Sequence, residues 1–223
     1  MKKLILPIVL LLVLAGIFGY QKYRDIFEPN VPDVLSNQIL EVPPGTDYNG
    51  LVKLMVDQKI LISETSFLWV AEQMKFSTVR PGRFKIGTGW NNRRLINHLK
   101  AGRQETVKLV FNTGRKLEDI AGKASKFLET DSSTLIAAML NPEIHTKYGY
   151  KKEDFISMFI PNTYDFYWIT EAEDFIERMA KEHDKFWSSN GRKQKAAKLE
   201  MTPEEVYSPV SYTHLTLPTI CSV

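Results

Sequence analysis

The amino-acid sequence predicts an α+β protein with an N-terminal transmembrane helix, a strand–helix–helix region, and the beginning of a second, incomplete α+β domain. An uncharged, largely apolar run from Leu4 to Tyr20 opens the chain and predicts the membrane helix. Two short alternating apolar runs, each followed by apolar residues at helical spacing, predict the two α+β parts. After Asn141 and Pro142 the composition changes and aromatic residues become frequent.

Composition limits the classes of function. The chain has 223 residues, of which 43% are hydrophobic, so it is long enough for one or two small domains with buried cores. The formal net charge of +3 does not indicate a nucleic-acid partner, and none is predicted. Cys221 is the only cysteine, which excludes an intramolecular disulfide and a cysteine-based zinc site.

The N-terminal apolar run is interpreted as an uncleaved membrane anchor over residues 1–20. As a helix, the 17 residues of the run are roughly 26 Å long, at the short end of a bilayer span. A cleaved signal peptide is the alternative, but no convincing cleavage motif follows the run. With Lys2 and Lys3 on the cytoplasmic side, the rest of the chain is exported. Residues 21–37 are predicted as a linker because their prolines interrupt a continuous helix.

Residues 38–105 are predicted as the first α+β region. The letters QILEV indicate a short strand, and two helical stretches follow a Pro-Gly turn. Ser63 is placed to cap the second of these helices. The letters RFKI then alternate as in a strand, and Asn91 is placed to cap a third helix that ends at Gly102.

Residues 106–208 are predicted to repeat this order. The letters VKLVF alternate as in a strand, and apolar residues at helical spacing follow. Alignment of Gly45 with Gly114 also matches Ser63 with Ser132, the residue placed to cap the next helix. These matches form a weak internal repeat of strand, helix and helix.

A longer amphipathic helix is predicted beyond the aromatic part of the second region. Thr170 and Glu173 have the spacing of a capping box, so the helix is expected to begin near Thr170. Phe175, Met179 and Phe186 share one face of this helix and are expected to be buried.

A basic stretch lies between Arg80 and Gln104, without any acid among its residues. It suits contact with anionic lipid headgroups or an acidic wall polymer, and a solvated basic face is the alternative. Its seven charges belong to Arg80, Arg83, Lys85, Arg93, Arg94, Lys100 and Arg103.

The histidines do not indicate a metal centre. None has a neighbour at metal-ligand spacing, and no nucleophile motif or phosphate-binding loop occurs. No metal or cofactor is predicted, and the histidines concerned are His98, His145, His183 and His214.

The most distinctive segment is SMFIPNTYDFYW, from Ser157 to Trp168, in which five of twelve residues are aromatic. Residues 161–163 are predicted as a turn because proline and asparagine favour that conformation. Aromatic rings beside polar side chains suit sugar recognition, since rings stack on sugar C–H faces while hydroxyls need hydrogen-bond partners. An aromatic core around a turn is the alternative, and the segment alone does not decide between them.

The letters FIPNTYDFYW resemble the F-x-P-D/N-T-Y motif of the endolytic murein transglycosylase family (MltG/YceG-like). The membrane anchor, a LysM-like region over 38–105, the PGRF strand with its turn and helix, and the lead-in TPEEVYS resemble that family in the same order. The resemblance implies that 106–208 begin a catalytic domain. Ile156 and Ser157 stand where many members have Glu-Gly, so no role of that glutamate is carried over. The predicted substrate-binding residues are Phe159, Pro161, Asn162, Thr163, Tyr164 and Tyr167.

The resemblance implies non-hydrolytic cleavage of the MurNAc–GlcNAc β-1,4 bond in nascent peptidoglycan. One glutamic acid protonates the leaving oxygen and then helps the muramyl C6 hydroxyl attack, which gives a 1,6-anhydro end. The family carries this glutamate in an ASIVExE pattern, expected just beyond Ser208 and missing here. Glu204 and Glu205 instead follow the capping residue Thr202 and start a helix. No catalytic residue is therefore predicted, and the 223-residue chain is expected to be inactive.

Residues 209–223 are interpreted as a non-native tail that truncates the catalytic domain. No charged residue occurs from Ser208 to Val223, although 25% of the whole chain is charged. The back-translated segment VSYTHLTLPT resembles a transposase-type sequencing adapter.

The predicted location is the bacterial inner membrane, with a single span and most of the chain in the periplasm. Predicted partners are peptidoglycan glycan strands, the membrane through residues 4–20, and wall synthases of the penicillin-binding class. Two alternatives to an enzyme stay open. One is a membrane-tethered wall-binding module without chemistry, and the other is a structural component of a wall-synthesis complex.

Overall fold

The computed structural model describes residues 2–112, 116–203 and 205–206, and it divides into two compact units between Glu105 and Thr106. Each unit contains a two-stranded antiparallel sheet and a buried hydrophobic cluster. The predicted α+β class is therefore confirmed for both parts of the chain.

In unit 1, which ends at Glu105, each strand lies between two helices along the chain. In the described residues its elements are α1 (Lys2–Phe27), β1 (Ile39–Val42), α2 (Tyr48–Asp57), α3 (Glu64–Gln73), β2 (Gly82–Lys85) and α4 (Asn92–Ala101). β1 pairs antiparallel with β2, so that Leu40 lies opposite Phe84. Both side chains are buried, and helices α2, α3 and α4 cover them with Met55, Phe67 and Leu95.

Capping residues lie at the start of α3 and at both ends of α4, where the sequence predicts them. The Ser63 hydroxyl accepts a hydrogen bond from the Ser66 amide at 3.3 Å, and the Asn91 side chain accepts one from the Arg94 amide at 2.9 Å. Gly102 ends α4 in the left-handed conformation, with a φ of 64° that glycine adopts without strain.

Helix α1 extends further than the predicted anchor. It continues to Phe27 and so includes the first part of the segment predicted as a linker. The ion pair between Arg24 and Glu28, at 2.7 Å and four residues apart, supports this last turn. Among the residues that the structure describes, no helix is long and apolar enough to cross a membrane.

A buried pair of asparagines joins the end of α1 to the rest of unit 1. Asn30 is 4% exposed and Asn92 is 0% exposed, and the Asn30 amide donates to the Asn92 carbonyl oxygen at 2.7 Å. Asn92 donates to the Asp25 carbonyl at 2.8 Å and to the Ser66 hydroxyl at 2.9 Å. Asn30 also donates to the Ser63 carbonyl at 2.9 Å and accepts from the Ser63 amide at 2.7 Å. The segment after α1 is therefore held against α3 and α4.

Unit 2 repeats the order of strand, helix and helix that the sequence predicts. Its described elements are β3 (Thr106–Phe111), α5 (Leu117–Ala124), α6 (Ser132–Met139), α7 (Pro142–Tyr148), a 3-10 turn (Phe155–Met158), β4 (Asn162–Tyr167), α8 (Ala172–Ser188) and α9 (Arg192–Lys198). The sequence did not indicate α7, the 3-10 turn or α9. β3 pairs antiparallel with β4 over six residue pairs.

Aromatic rings form the centre of the core in unit 2. Phe175 on α8 is fully buried, and its ring centroid lies 5.1–6.1 Å from those of Phe111, Phe159 and Phe166. These rings come from β3, β4, α8 and the segment before β4. The core therefore joins the sheet to the long helix.

The segment predicted as a turn around Pro161 is in part a strand. β4 begins at Asn162, because Asn162 lies opposite Phe111 and Thr163 lies opposite Val110 in the antiparallel ladder. Only the residues up to Pro161 lie before the strand.

The predicted caps in unit 2 are also corrected. The Asp131 carboxylate, rather than Ser132, caps α6 by accepting from the Thr134 amide at 2.8 Å. Glu171 occupies the N-cap position of α8, and the predicted capping box does not form. The Thr170 hydroxyl instead donates to the Tyr167 carbonyl at 2.6 Å.

Candidate functional site

The hairpin formed by β3 and β4 has one buried and one exposed face. Side chains alternate between the two faces along each strand. In β3 the odd-numbered residues from Val107 to Phe111 are buried, and in β4 Tyr164 and Phe166 are buried. The antiparallel register brings the exposed residues of both strands together on the other face.

We call this second surface the open face, and it consists of three cross-strand pairs. Threonine lies opposite tyrosine at one end, lysine opposite aspartate in the middle, and valine opposite threonine at the other end. The pairs are Thr106 with Tyr167, Lys108 with Asp165, and Val110 with Thr163.

The open face combines one exposed ring with polar groups of several kinds. The Tyr167 side chain is 54% exposed, which leaves its ring available for stacking. Asp165 and Thr163 follow on the same face at intervals of about 7 Å, with Lys108 opposite Asp165. A hydroxyl, a carboxylate and an ammonium group beside a ring can donate to and accept from sugar hydroxyls while the ring stacks.

The structure separates the six predicted substrate-binding residues into two groups. Phe159 and Tyr164 are 3% and 5% exposed and belong to the core of unit 2. The remaining four residues are exposed, and Thr163 and Tyr167 among them lie on the open face; the four are Pro161, Asn162, Thr163 and Tyr167.

The two buried residues support the exposed ones. The Tyr164 hydroxyl donates to the Ile160 carbonyl at 2.7 Å and so holds the segment that leads into β4. The Phe159 ring stacks on Phe175 at 6.1 Å with an interplanar angle of 18°. Because Phe159 and Tyr164 lie on either side of Asn162 in the chain, these buried contacts fix where the exposed residues between them lie.

Thr106, Lys108, Val110 and Asp165 are members of the open face that sequence reasoning missed. The alternation in VKLVF indicates that Lys108 and Val110 point away from the core. Only the pairing of β3 with β4 shows that Asp165 lies opposite Lys108, and that pairing joins residues more than fifty positions apart.

Comparison with known proteins gives the family. The sequence model of the YceG-like family matches residues 40–211 of the 223. The chain belongs to the YceG-like family. Among solved structures, this YceG-like chain is similar to the yceG-like protein lmo1499 from Listeria monocytogenes, at 18% identity and a TM-score of 0.40. The alignment covers 74% of this chain and 59% of that protein, so the chain spans 59% of the relative's length. Comparison with curated proteins found no match.

Ile156 and Ser157, for which no family role is carried over, lie in the 3-10 turn that precedes β4. Ile156 is partly buried against the core, and Ser157 is 4% exposed. The Ser157 hydroxyl donates to the Asp154 carbonyl at 2.6 Å. Both residues belong to the 3-10 turn before Phe159, and in this chain they serve its conformation.

Of Glu204 and Glu205, only Glu205 lies within the described residues. The Glu205 carboxylate accepts from the Thr202 amide at 2.8 Å, and the Glu205 amide donates to the Thr202 hydroxyl at 3.2 Å. This capping box confirms that Glu205 starts a helix. Glu204 and the segment from Tyr207 onward, which includes the predicted tail, lie outside the described residues.

Unit 2 also contains an acidic cavity of about 460 Å³ between the starts of α6 and α8. Its lining includes the carboxylates of Glu129, Asp131, Glu171 and Glu173. Hydrogen bonds from the Ser133 hydroxyl and from Thr134 lower the pKa of Asp131 to about 2. Asp131 is therefore ionised near neutral pH and serves as a cap rather than as a general acid.

The histidines of the described part occupy structural positions. His145 and His183 are each 6% exposed, and His145 Nε2 lies 2.7 Å from the Met139 carbonyl oxygen. Burial lowers the pKa of His98, and the nearby Arg103 charge adds to this effect. Within the described residues, no group of three or more His, Cys, Asp or Glu side chains could hold a metal ion.

Proposed function

We propose that this chain is the membrane-anchored, glycan-binding part of an endolytic peptidoglycan transglycosylase. The observation that carries this proposal is the YceG-like match over residues 40–211. The proposed reaction of the whole protein cleaves the MurNAc–GlcNAc β-1,4 bond of nascent strands. It leaves 1,6-anhydroMurNAc ends and terminates strand elongation.

The reaction requires a carboxyl group that is protonated near neutral pH, which means a pKa raised by a shielded cleft. The muramyl C6 hydroxyl is the nucleophile, so a second carboxylate that activates water is not needed. The 223-residue sequence contains no ASIVExE pattern, and the Glu205 carboxylate caps a helix. We therefore propose that the 223 residues bind glycan strands without cleaving them.

The open face is the proposed glycan-binding surface. Tyr167 supplies the stacking ring, and Thr163, Asp165 and Lys108 supply hydrogen-bonding groups on the same face. Sugar units are amphipathic, so a half-exposed ring beside polar side chains complements them better than a purely apolar or purely charged surface.

Helix α1 is the proposed membrane anchor, at the inner membrane, with the rest of the chain in the periplasm. Its large apolar side chains from Val9 to Phe18 are 49–67% exposed. A large exposed apolar surface of this kind is typical of a site that contacts a membrane or another protein. Glycan strands, lipid and wall synthases of the penicillin-binding class are the proposed partners.

Sedimentation with purified insoluble peptidoglycan tests the open face. Tyr167→Ala is expected to weaken binding roughly fivefold to tenfold, because a stacked aromatic ring contributes about 1–1.5 kcal/mol. Phe127→Ala is the matched control, since Phe127 is a 45% exposed ring of unit 2 that lies outside the open face. Equal binding by Tyr167→Ala and the unsubstituted chain would exclude the open face as the glycan site.

Muropeptide analysis tests the chemistry. The 223-residue chain is expected to give no new 1,6-anhydro ends, whereas a longer form that carries the ASIVExE pattern is expected to give them. Glu→Gln substitution in that pattern should abolish the ends and leave binding intact. If the longer form binds glycan without cleaving it, the protein is instead a wall-binding module or a scaffold of the wall-synthesis complex.

A further inference from the structure

Helix α3 of unit 1 runs back alongside α1. Asn92 donates to both the Asp25 carbonyl and the Ser66 hydroxyl, which places Ser66 near the C-terminal end of α1. Three residues further along α3, the Trp69 ring lies 4.1 Å from the Lys22 ammonium, which is three residues back along α1. The two helices are therefore antiparallel.

Helix α4 runs in the same direction as α3. It begins beside Ser66, and near its end Lys100 donates to the Met74 carbonyl at 2.8 Å, at the end of α3. The eight residues from Ser66 to Met74 cover about 12 Å of helix. The same length counted back from Asp25 along α1 reaches Ile17. Both helices therefore direct their C-terminal ends toward the apolar part of α1.

The C-terminal ends of α3 and α4 carry four exposed basic side chains, which we call the basic rim. Met74 and Lys100 join the two ends, and the Arg80 side chain packs so closely over Gly102 that a Cβ there would lie 2.8 Å from it. The rim consists of Lys75, Arg80, Lys100 and Arg103.

Aromatic side chains lie close to this level, three to six residues nearer the C-terminal end of α1 than Ile17. Tyr20 and Tyr23 are 65% and 59% exposed, and the Trp69 ring is partly buried beneath Lys22. Tyrosine and tryptophan concentrate at the boundary between hydrocarbon and headgroups. The basic rim thus lies near the predicted headgroup layer around α1.

We propose that the basic rim contacts the phosphate groups of anionic lipids around α1, which gives unit 1 a second, peripheral contact with the membrane. This inference rests on the proposed role of α1 as an anchor. Charge complementarity favours the contact, because basic side chains are attracted to an anionic lipid surface. Because the ends of α3 and α4 lie about level with Ile17 of α1, the rim is close to the lipid headgroups when α1 is inserted.

Site-specific fluorescence in proteoliposomes tests the contact. The full chain with Cys221→Ser receives one bimane label, at Ala101→Cys beside the rim or at Thr65→Cys at the opposite end of α3. Both positions are exposed. In vesicles of phosphatidylglycerol and phosphatidylethanolamine, lipids with a headgroup nitroxide should quench the Ala101 label strongly and the Thr65 label weakly. Phosphatidylcholine vesicles or high salt should reduce the quenching at Ala101.

Substitutions that remove two charges at once test whether the rim holds unit 1 against the lipid surface, a contact that we call docking. Lys75→Gln with Lys100→Gln is expected to weaken docking roughly 25-fold, at about fivefold for each charge removed. The control, Lys53→Gln with Lys59→Gln, removes the same charge elsewhere on unit 1 and is expected to change docking less than about twofold. Lys59 matches Lys75 closely, because both have left-handed backbone, at φ values of 55° and 50°, directly after a helix.

Flotation of the same vesicles separates this inference from the anchor. If the chain floats in all lipids but the Ala101 label is not quenched, the rim contact is wrong and the anchor stands. Equal effects of the two charge pairs would also overturn the rim contact. If the chain does not float, the anchor is wrong, and the rim contact, which rests on the anchor, is wrong as well. Quenching at Ala101 that only the rim pair abolishes supports the proposal.

Discussion

Replacement of Asn92 by alanine should destabilise unit 1 more than any exposed substitution on α4. The change removes three hydrogen bonds, to Asn30, Asp25 and Ser66, at 2.7–2.9 Å. Each of these bonds contributes about 1 kcal/mol net, so the three together contribute about 3 kcal/mol. Asn92 is 0% exposed, so water does not replace the lost partners without local opening. We expect the free energy of unfolding of unit 1 to fall by about 3 kcal/mol.

Amide hydrogen exchange measures this loss of stability at the end of α1. The amides of Asn30 and Val31 donate to the Trp90 carbonyl at 2.9 Å, and they should exchange about a hundredfold faster in Asn92→Ala. Asn97→Ala is the matched control, because Asn97 is an exposed asparagine on the same helix and its substitution should leave these rates within about threefold. If both variants exchange at the same rate, the asparagine pair does not hold the end of α1.

Three further substitutions test the core and the titrating groups. Phe175→Ala should lower the free energy of unfolding of unit 2 by about 3–5 kcal/mol, because the ring is fully buried; a loss below about 1 kcal/mol in urea would contradict the packing. The pKa of Asp131 is about 2 in the folded chain and near 3.8 in the unfolded chain, so unfolding should become easier as the pH falls from 3.8 toward 2. Asp131→Asn should flatten this part of the curve of urea midpoint against pH, and an unchanged slope would count against the cap. The pKa of His98 is lowered from 6.5 by burial, so the stability it contributes is present above pH 6.5 and lost below it; His98→Gln should remove that dependence from the urea midpoint.

Local features were predictable from the sequence because their causes lie within a few residues. Ser63 and Asn91 each cap the helix that begins directly after them, and Thr202 and Glu205 form their capping box across three residues. Asp131 caps α6 in place of the predicted Ser132. Both residue types are suitable caps, and the residue at which the helix begins decides which of them takes that position.

Features that depend on pairing between distant segments were not predictable in this way. The segment SMFIPNTYDFYW did not reveal that Tyr164 faces the core while Tyr167 faces outward, because the register against β3 decides which face each side chain occupies. The Asn30–Asn92 bond joins two polar residues 62 positions apart, and neither residue alone indicates burial.

That separation sets an order of events during synthesis. A chain that grows at roughly 5–20 residues per second takes about 3–12 s to extend from Asn30 to Asn92. Throughout that interval the apolar helix is already made, while the residue that completes the hydrogen-bonding network has not yet been added. If α1 enters the membrane as it is made, insertion comes first, and unit 1 closes around a helix whose orientation has already been decided.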